Sequence, residues 1–382
     1  MKIDPVAVEQ AGELMLIGMG GVFIVLFIIY IVAKLLLKFA PAKKRRSNMA
    51  TLKRIWLALN PQEAAAWQAL LMTAGLAADR QVDYTVGIFE GETLLATGSL
   101  SGNIIKEVAV TPATQHENLL AQVIQALLDR LDDDGVTHSF VYTKPTTVKF
   151  FLSLGFKQLA ATDAVVLLER GYPNLTDYVA SLEKQRRPEK PAAAIVMNAN
   201  PITRGHAYLI EAAAKNNPVV YVFVLSAERS LFAADERLTL VRKVAARWPN
   251  VVVLPTNDYM VSNTTFPSYF LKERADADVA AVQARLDAAL FKQAIAPVLG
   301  ITRRYVGEEP LSPVTAIYNR ELAATFGSAI ELIVVPRLMI DGDVVSATRV
   351  RAAMAQQDWK TVQQLVYPEV YQEIKERSTH GN

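Results

Sequence analysis

A run of five small or apolar residues, Ala193-Ala194-Ile195-Val196-Met197, constrains this chain more than any other stretch. It reads as a short buried strand. The loop Asn198-Ala199-Asn200-Pro201-Ile202-Thr203-Arg204-Gly205 follows, and a helical pattern begins near His206 and continues through Ala207, Leu209, Ile210 and Ala213. Strand, loop and helix in this order present unpaired backbone N–H groups and the positive end of a helix dipole. A triphosphate needs both. Gly205 lets the backbone pass close to phosphate oxygens. His206 can donate a hydrogen bond to an α-phosphate as charge builds there, and Thr203 adds a hydroxyl or backbone contact.

The following sequence extends the same pattern. Val219–Leu225, Val251–Leu254, Arg303–Val306 and Ile330–Val335 read as strands, with a helix over Glu236–Ala246. Alternating strands and helices predict a parallel α/β sheet that binds ligands at the carboxyl ends of its strands. A second phosphate-type segment is Val345-Ser346-Ala347-Thr348-Arg349-Val350-Arg351. Ser346 can cap a following helix, and two hydroxyls and two guanidinium groups suit the β- and γ-phosphates and departing pyrophosphate. Taken alone, this segment reads as a plain N-cap with surface arginines; paired with Thr203–His206 at this separation, it reads as a second phosphate site.

Both segments resemble signatures of the nucleotidyltransferase superfamily. Thr203-Arg204-Gly205-His206 is similar to its (H/T)xGH motif, and Asn200–His206 to the DPITxGH loop of pantetheine-phosphate adenylyltransferases, with Asn200 in place of aspartate. Ser346, Thr348 and Arg351 occupy the positions of its ISxTxVR signature. The resemblance implies ATP binding by Asn200, Gly205, Ser346, Thr348 and Arg351, and by Gly307 and Glu308, which lie where the superfamily often contacts the nucleoside. His206 and Thr203 would be catalytic. Arg204 and Arg349 are further candidates.

Upstream, Asn60-Pro61-Gln62-Glu63 opens a helix to about Leu76, with Asn60 as cap and Pro61 in the first turn. Strands are predicted at Tyr84–Phe89, Thr93–Leu100 and Ile105–Val110, with Gly91 in a turn. The stripe Leu119, Val123, Leu127 and Leu131 predicts a helix over Asn118–Asp132. A strand at Phe140–Thr143, a helix at Thr147–Leu154 stopped by Gly155, and a strand at Val165–Glu169 complete the layer. The order resembles the GNAT acetyltransferase fold, and Phe150–Phe156 is similar to its FYxxxGF signature. The stretch matching the coenzyme A pyrophosphate loop, Gln115-His116-Glu117-Asn118-Leu119, has no glycine and carries a negative charge. This layer is read either as a modified acyl-transfer or pantetheine-arm site or as a packing module.

At the start of the chain, Leu14–Leu37 is apolar apart from Lys34. As a helix it would reach roughly 36 Å, enough for a bilayer core of about 30 Å. Lys43-Lys44-Arg45-Arg46 follows, so the positive-inside rule puts the rest of the chain in the cytoplasm. A signal peptide or a buried core helix are the alternatives. The segment resembles the gamma subunit of sodium-pumping oxaloacetate decarboxylases. Met49 opens a stretch that reads like an independent start, which makes a fusion of two coding units a further reading.

Three segments are expected: 1–48 as a single transmembrane anchor with its basic flank, 50–185 as the GNAT-like domain, and 192–376 as the nucleotidyltransferase domain. The charged, proline-containing stretch Arg186–Pro191 separates the last two. Charge supports the partition. Of 40 Lys+Arg and 38 Asp+Glu, residues 1–46 hold seven and three, leaving 33 and 35, a net −2. The body of the chain therefore gives no reason to invoke nucleic acid. There is no cysteine, which removes disulfides and thiolate nucleophiles. The four histidines, His116, His138, His206 and His380, show no metal-ligand spacing.

Longer stretches narrow the resemblance. Met197–Pro201, Asn257–Lys272, Val306-Gly307-Glu308-Glu309-Pro310 and Val314–Asn319 look like citrate lyase ligases, over about Trp56 to Glu376. That resemblance implies a ligase in which ATP and acetate form acetyl-adenylate and pyrophosphate. The acetyl group would then pass to the thiol of a dephospho-CoA-derived prosthetic group on the acyl-carrier subunit of citrate lyase. Mg²⁺ would accompany ATP. Tyr269 and Lys272 belong to one of these stretches without an assignable role. The alternatives are an adenylyltransferase acting on a phosphorylated coenzyme precursor, and a membrane-tethered scaffold with vestigial catalytic domains.

Overall fold

Backbone pairing settles where each predicted strand goes. The computed structural model describes residues 25–32, 34, 50–112, 117–226, 230–260, 276–308 and 313–380. It divides into two compact units, Met1–Ala50 and Thr51–Asn382. In the first, residues 25–32 are helical and exposed. No helix among the described residues is long and apolar enough to cross a membrane. The transmembrane helix expected over 14–37 is not found among the described residues, which include only 25–32 and 34 of it.

The second unit holds two sheets. The first has seven strands in the order β1-β2-β3-β4-β5-β7-β6: β1 Thr51–Arg54, β2 Tyr84–Glu90, β3 Thr93–Ser101, β4 Ile104–Val110, β5 His138–Thr143, β6 Lys157–Ala161 and β7 Val166–Gly171. The Asn60 side chain accepts from the Glu63 N–H and starts α1, Pro61–Thr73, as the cap spacing predicts. Val123, Leu127 and Leu131 of α2, Glu117–Asp133, are buried against this sheet. Each stabilises the packing by about 1.5–3 kcal/mol. Strand β4 pairs with β5 in parallel only at Ile104↔Phe140 and Ile105↔Val141. Past that point a cavity of about 170 Å³ lies among Val108, Val141, Thr143 and Phe151. Phe151 belongs to α3, Val148–Ser153. Helix α4, Leu175–Glu183, was not foreseen; Asn174 caps it through the Thr176 N–H. Of the anticipated pyrophosphate stretch, Gln115 and His116 lie outside the described residues.

The second sheet is all parallel, in the order β10-β9-β8-β11-β12: β8 Ala192–Met197, β9 Val219–Val224, β10 Val251–Pro255, β11 Ile301–Gly307 and β12 Glu331–Val335. Alternate residues of β8 enter separate cores. Ala192 and Ala194 pack with the aromatic side Phe223–Phe291–Phe326, whereas Ala193 and Ile195 pack with Ile210, Val241 and Val350. Helices cover both faces: α5 Arg204–Asn216, α6 Ala234–Ala245, α7 Asp276–Leu290, α8 Pro313–Phe326, α9 Ala347–Ala355, α10 Trp359–Leu365 and α11 Pro368–His380. Strand order reverses between β8 and β11. Ligands of open α/β sheets bind at such a reversal, beyond the carboxyl ends of the strands.

Candidate active site

The loop after β8 ends in a cap that fixes His206. Thr203 is the N-cap of α5, and its Oγ1 accepts from the His206 N–H at 3.3 Å. In return, His206 Nδ1 accepts from the Thr203 N–H at 3.0 Å. The helix thus starts at Arg204, two residues earlier than expected, and His206 closes a capping box from the third helical position. A backbone N–H can only donate, so Nδ1 is the acceptor and the neutral ring carries its proton on Nε2. Burial, helped by the Arg337 charge, lowers the His206 pKa to about 4. At neutral pH the ring is an uncharged donor.

The second motif meets the first at Gly205. A Cβ on Gly205 would stand 2.9 Å from the Val345 carbonyl oxygen. The absence of that carbon lets the start of α5 lie against the segment entering α9. Gly205→Ala is therefore expected to separate the two motifs and to cost about 1–3 kcal/mol of stability, read by urea unfolding. An unchanged midpoint would contradict this packing role. Ser346 caps α9, its Oγ accepting from the Arg349 N–H at 3.2 Å.

The arginines divide their duties. Arg351 donates to the Asn200 carbonyl at 2.7 Å and to Thr348 Oγ1 at 3.1 Å, tying the two motifs together. Arg349 bonds the Val344 carbonyl at 2.9 Å and pairs with Asp343 at 3.2 Å, bracing the hairpin of β13 Met339–Ile340 and β14 Asp343–Val344. Arg204 stacks over Tyr367.

A pocket of about 200 Å³ opens at the β8/β11 reversal. Thr203, Gly205, His206, Gly307, Arg337 and Ser346 are among its lining residues. Two helix N-termini, one guanidinium and no carboxylate among the described lining suit a polyanion. Other expected residues sit elsewhere. Asn200 is buried and its Oδ1 accepts from the Phe232 N–H at 3.1 Å. Glu308 engages through its backbone, its N–H to Val335 O at 2.8 Å and its carbonyl from Arg337 Nε at 2.7 Å. Thr348 is exposed beside Arg351. Glu309, Tyr269 and Lys272 lie outside the described residues.

Three participants were missed in the sequence. Arg337 follows β12 at its carboxyl end, and a basic residue at the end of a predicted parallel strand was the available signal. Asn198 lines the pocket. Arg237 of α6 is wholly buried and holds Asn198 in place, with Nη1 bonding both its carbonyl, at 2.9 Å, and its Oδ1, at 2.8 Å. Nothing local marks a long-range tie of that kind.

A parallel sheet with paired capped helices at its reversal, beside a second, mostly antiparallel sheet, defines an α/β protein with a phosphate-type pocket. Residues 192–373 match the model of the citrate lyase ligase C-terminal domain, and residues 9–55 that of the oxaloacetate decarboxylase gamma chain. The citrate (pro-3S)-lyase ligase of Klebsiella pneumoniae is 34% identical over 323 residues, covering 83% of this chain and 94% of the relative. That of Escherichia coli is 36% identical over 299 residues, covering 75% and 84%. The chain belongs to the citrate lyase ligase family. Among solved structures, Thermotoga maritima TmcAL bound with alpha-thio ATP is similar at 13% identity and TM-score 0.36, over 50% of this chain and 57% of that one. A Pseudomonas aeruginosa acyl-CoA N-acyltransferase is similar at 15% identity and TM-score 0.28, over 32% and 99%.

Proposed function

We propose that the pocket at the β8/β11 reversal activates acetate with ATP and that the acetyl group then passes to a carrier thiol. The observation that carries this reading is the pair of capped helix N-termini joined at Gly205 and Val345, with a neutral His206 donor beside them. The triphosphate lies across Gly205, Ser346 and the amides of α5 and α9. Arg337 and Gly307 line the same pocket, Gly307 on the side assigned to the nucleoside, while Arg351 and Thr348 brace the Asn200 loop beside it. An acetate oxygen attacks the α-phosphorus, and the bond to the β-phosphate bridging oxygen breaks. Acetyl-adenylate and pyrophosphate result. The His206 Nε2–H stabilises the extra charge on the α-phosphate oxygens without needing to change its own charge. A thiol sulfur then attacks the acetyl carbonyl carbon, AMP leaves, and a thioester forms.

Mg²⁺ would arrive with the triphosphate; the described lining offers it no carboxylate, so no residue of this chain is assigned to it. The acceptor thiol is the dephospho-CoA-derived arm of the citrate lyase acyl-carrier subunit; the relatives' names, ligases of citrate (pro-3S)-lyase, support citrate lyase as the partner. Residues 50–185 and 192–376 act as the acceptor and activation modules. Residues 1–48 form a membrane anchor that leaves both modules in the cytoplasm. The apolar run, its basic flank and the gamma-chain match support that placement.

The full chain incubated with ATP, acetate and deacetylated citrate lyase is expected to restore lyase activity, releasing AMP and pyrophosphate as thioester forms. Failure to release AMP when all three are present would reject the assignment.

A further inference from the structure

A second concavity, about 950 Å³, lies between the two sheets of the larger unit. Ser226 after β9 and Asn257, Asp258 and Tyr259 after β10 line one side. It therefore opens at the same carboxyl edge of the parallel sheet as the nucleotide pocket. Residues from β3, β4, β5 and α4 line the other side. Asn103 Nδ2 donates to Asp258 Oδ2 across it at 3.1 Å.

His138, the first residue of β5, lines this groove and is itself buried, at 8% exposure. Its Nε2 stands 3.0 Å from Glu169 Oε2. Glu169 Oε2 also accepts from the Tyr259 O–H at 2.9 Å, and both carboxylate oxygens accept from the Leu175 N–H, at 3.2 and 3.1 Å, at the start of α4. Burial and the neighbouring Glu169 raise the Tyr259 pKa, which keeps it a phenol and a donor. A carboxylate receiving this many donors is an acceptor only, so His138 Nε2 holds the ring proton. Nδ1 is then the basic nitrogen. Among the described residues it has no hydrogen-bond partner, and it is not among the atoms sealed from solvent.

The walls say what such a base would meet. Asn103, Asn174, Ser181 and Ser226 are uncharged polar groups suited to the amides of a pantetheine-like arm. Asp83, Asp177 and Asp258 supply negative charge, which holds a thiol in its protonated form. A free thiol titrates near 8.5 and only its thiolate attacks well, so transfer in this groove needs a proton acceptor.

Resting on the acetyl-adenylate reading, we propose that the groove seats the distal end of the carrier arm and that His138 is the general base of the thiol half-reaction. Nδ1 takes the thiol proton as the carbon–sulfur bond forms. The bond from the acetyl carbon to the phosphate oxygen breaks, and AMP leaves with the electron pair. Glu169 steadies the resulting imidazolium. The splayed cavity beside Val108 and Thr143 lies at the other end of β4 and β5 and takes no part in this step.

The two half-reactions separate the test. In a His138→Gln variant of the full chain, the new amide can still donate to Glu169 but cannot accept a proton as a base. Acetate-dependent ATP–pyrophosphate exchange should stay within about twofold of the native value. Transfer to pantetheine should fall by at least about 10²-fold. Transfer to thiophenol, already largely thiolate at neutral pH, should fall by less than about threefold. Equal losses with both thiols, or no loss with either, would overturn the proposal. If the Gln variant does not fold, Glu169→Gln should show the same thiol-selective loss, and an unselective loss there overturns it equally. Absence of exchange in the native chain would instead remove the acetyl-adenylate reading itself.

Discussion

Replacing His206 with alanine is expected to lower acetate-dependent ATP–pyrophosphate exchange by at least about 10²-fold, the scale of losing one oxyanion-type donor. The expectation follows from the ring's fixed tautomer. Nδ1 is committed to the Thr203 N–H, so Nε2–H is the part left to meet substrate. The cap also loses a partner, which costs about 1 kcal/mol; the folded fraction is therefore measured alongside the rate. A folded variant with near-native exchange would exclude His206 from the chemistry. The same ring carries a pH signature. Its folded pKa, about 4, lies below the ordinary 6.5, so between these values the unfolded chain binds a proton that the folded chain does not. Stability contributed at this site is present above about pH 6.5 and is lost as pH falls toward 4. The alanine variant should show a shallower decline over that window, read as urea midpoints.

The second large effect is expected at Arg237, far from any substrate atom. Its side chain is fully buried. It donates to the carbonyls of Phe232, Asn198 and Leu225 and to Asn198 Oδ1. Arg237→Met would keep much of the volume and strand these acceptors without donors. Each buried orphan costs about 1–3 kcal/mol, and breaking a buried charged network typically costs about 3–5 kcal/mol. A loss in that upper range is expected in urea unfolding, together with a raised KM for ATP, because Asn198 begins the loop that leads to Thr203. A loss below about 1 kcal/mol would show that the loop is held by other means.

Arg237 also marks where sequence reasoning stopped. Strands of the parallel sheet were legible because uninterrupted apolar runs have few other uses: Ala193–Met197 was expected and Ala192–Met197 is found. Edge strand β6 was not, since of Lys157–Ala161 only Ala160 is buried and no alternation shows. Thr203, Gly205, His206 and Ser346 were legible as one cluster because their chemistry is local to a helix start, and they line one pocket. Their roles within it were not. Gly205 turned out to seat the Val345 carbonyl, and His206 to spend Nδ1 on its own cap. Asn200 and Arg351, read as ATP contacts, meet one another through a backbone carbonyl and a guanidinium 151 residues apart in sequence. Side-chain type shows what a residue can bind; only the fold shows which partner has already taken it. The same limit hid the His138–Glu169–Tyr259 cluster, whose members come from β5, β7 and the loop after β10.

On the proposed reading, the pocket joins acetate to AMP before any thiol is involved. The most direct measurement supplies the full chain with ATP, Mg²⁺ and labelled acetate, with no thiol present, and follows exchange of labelled pyrophosphate into ATP. Acetate-dependent exchange with labelled acetyl-adenylate as the acid-quench product is the expected result. Exchange that ignores acetate and instead requires 4′-phosphopantetheine, with dephospho-CoA as product, would rule out acetate activation in this pocket.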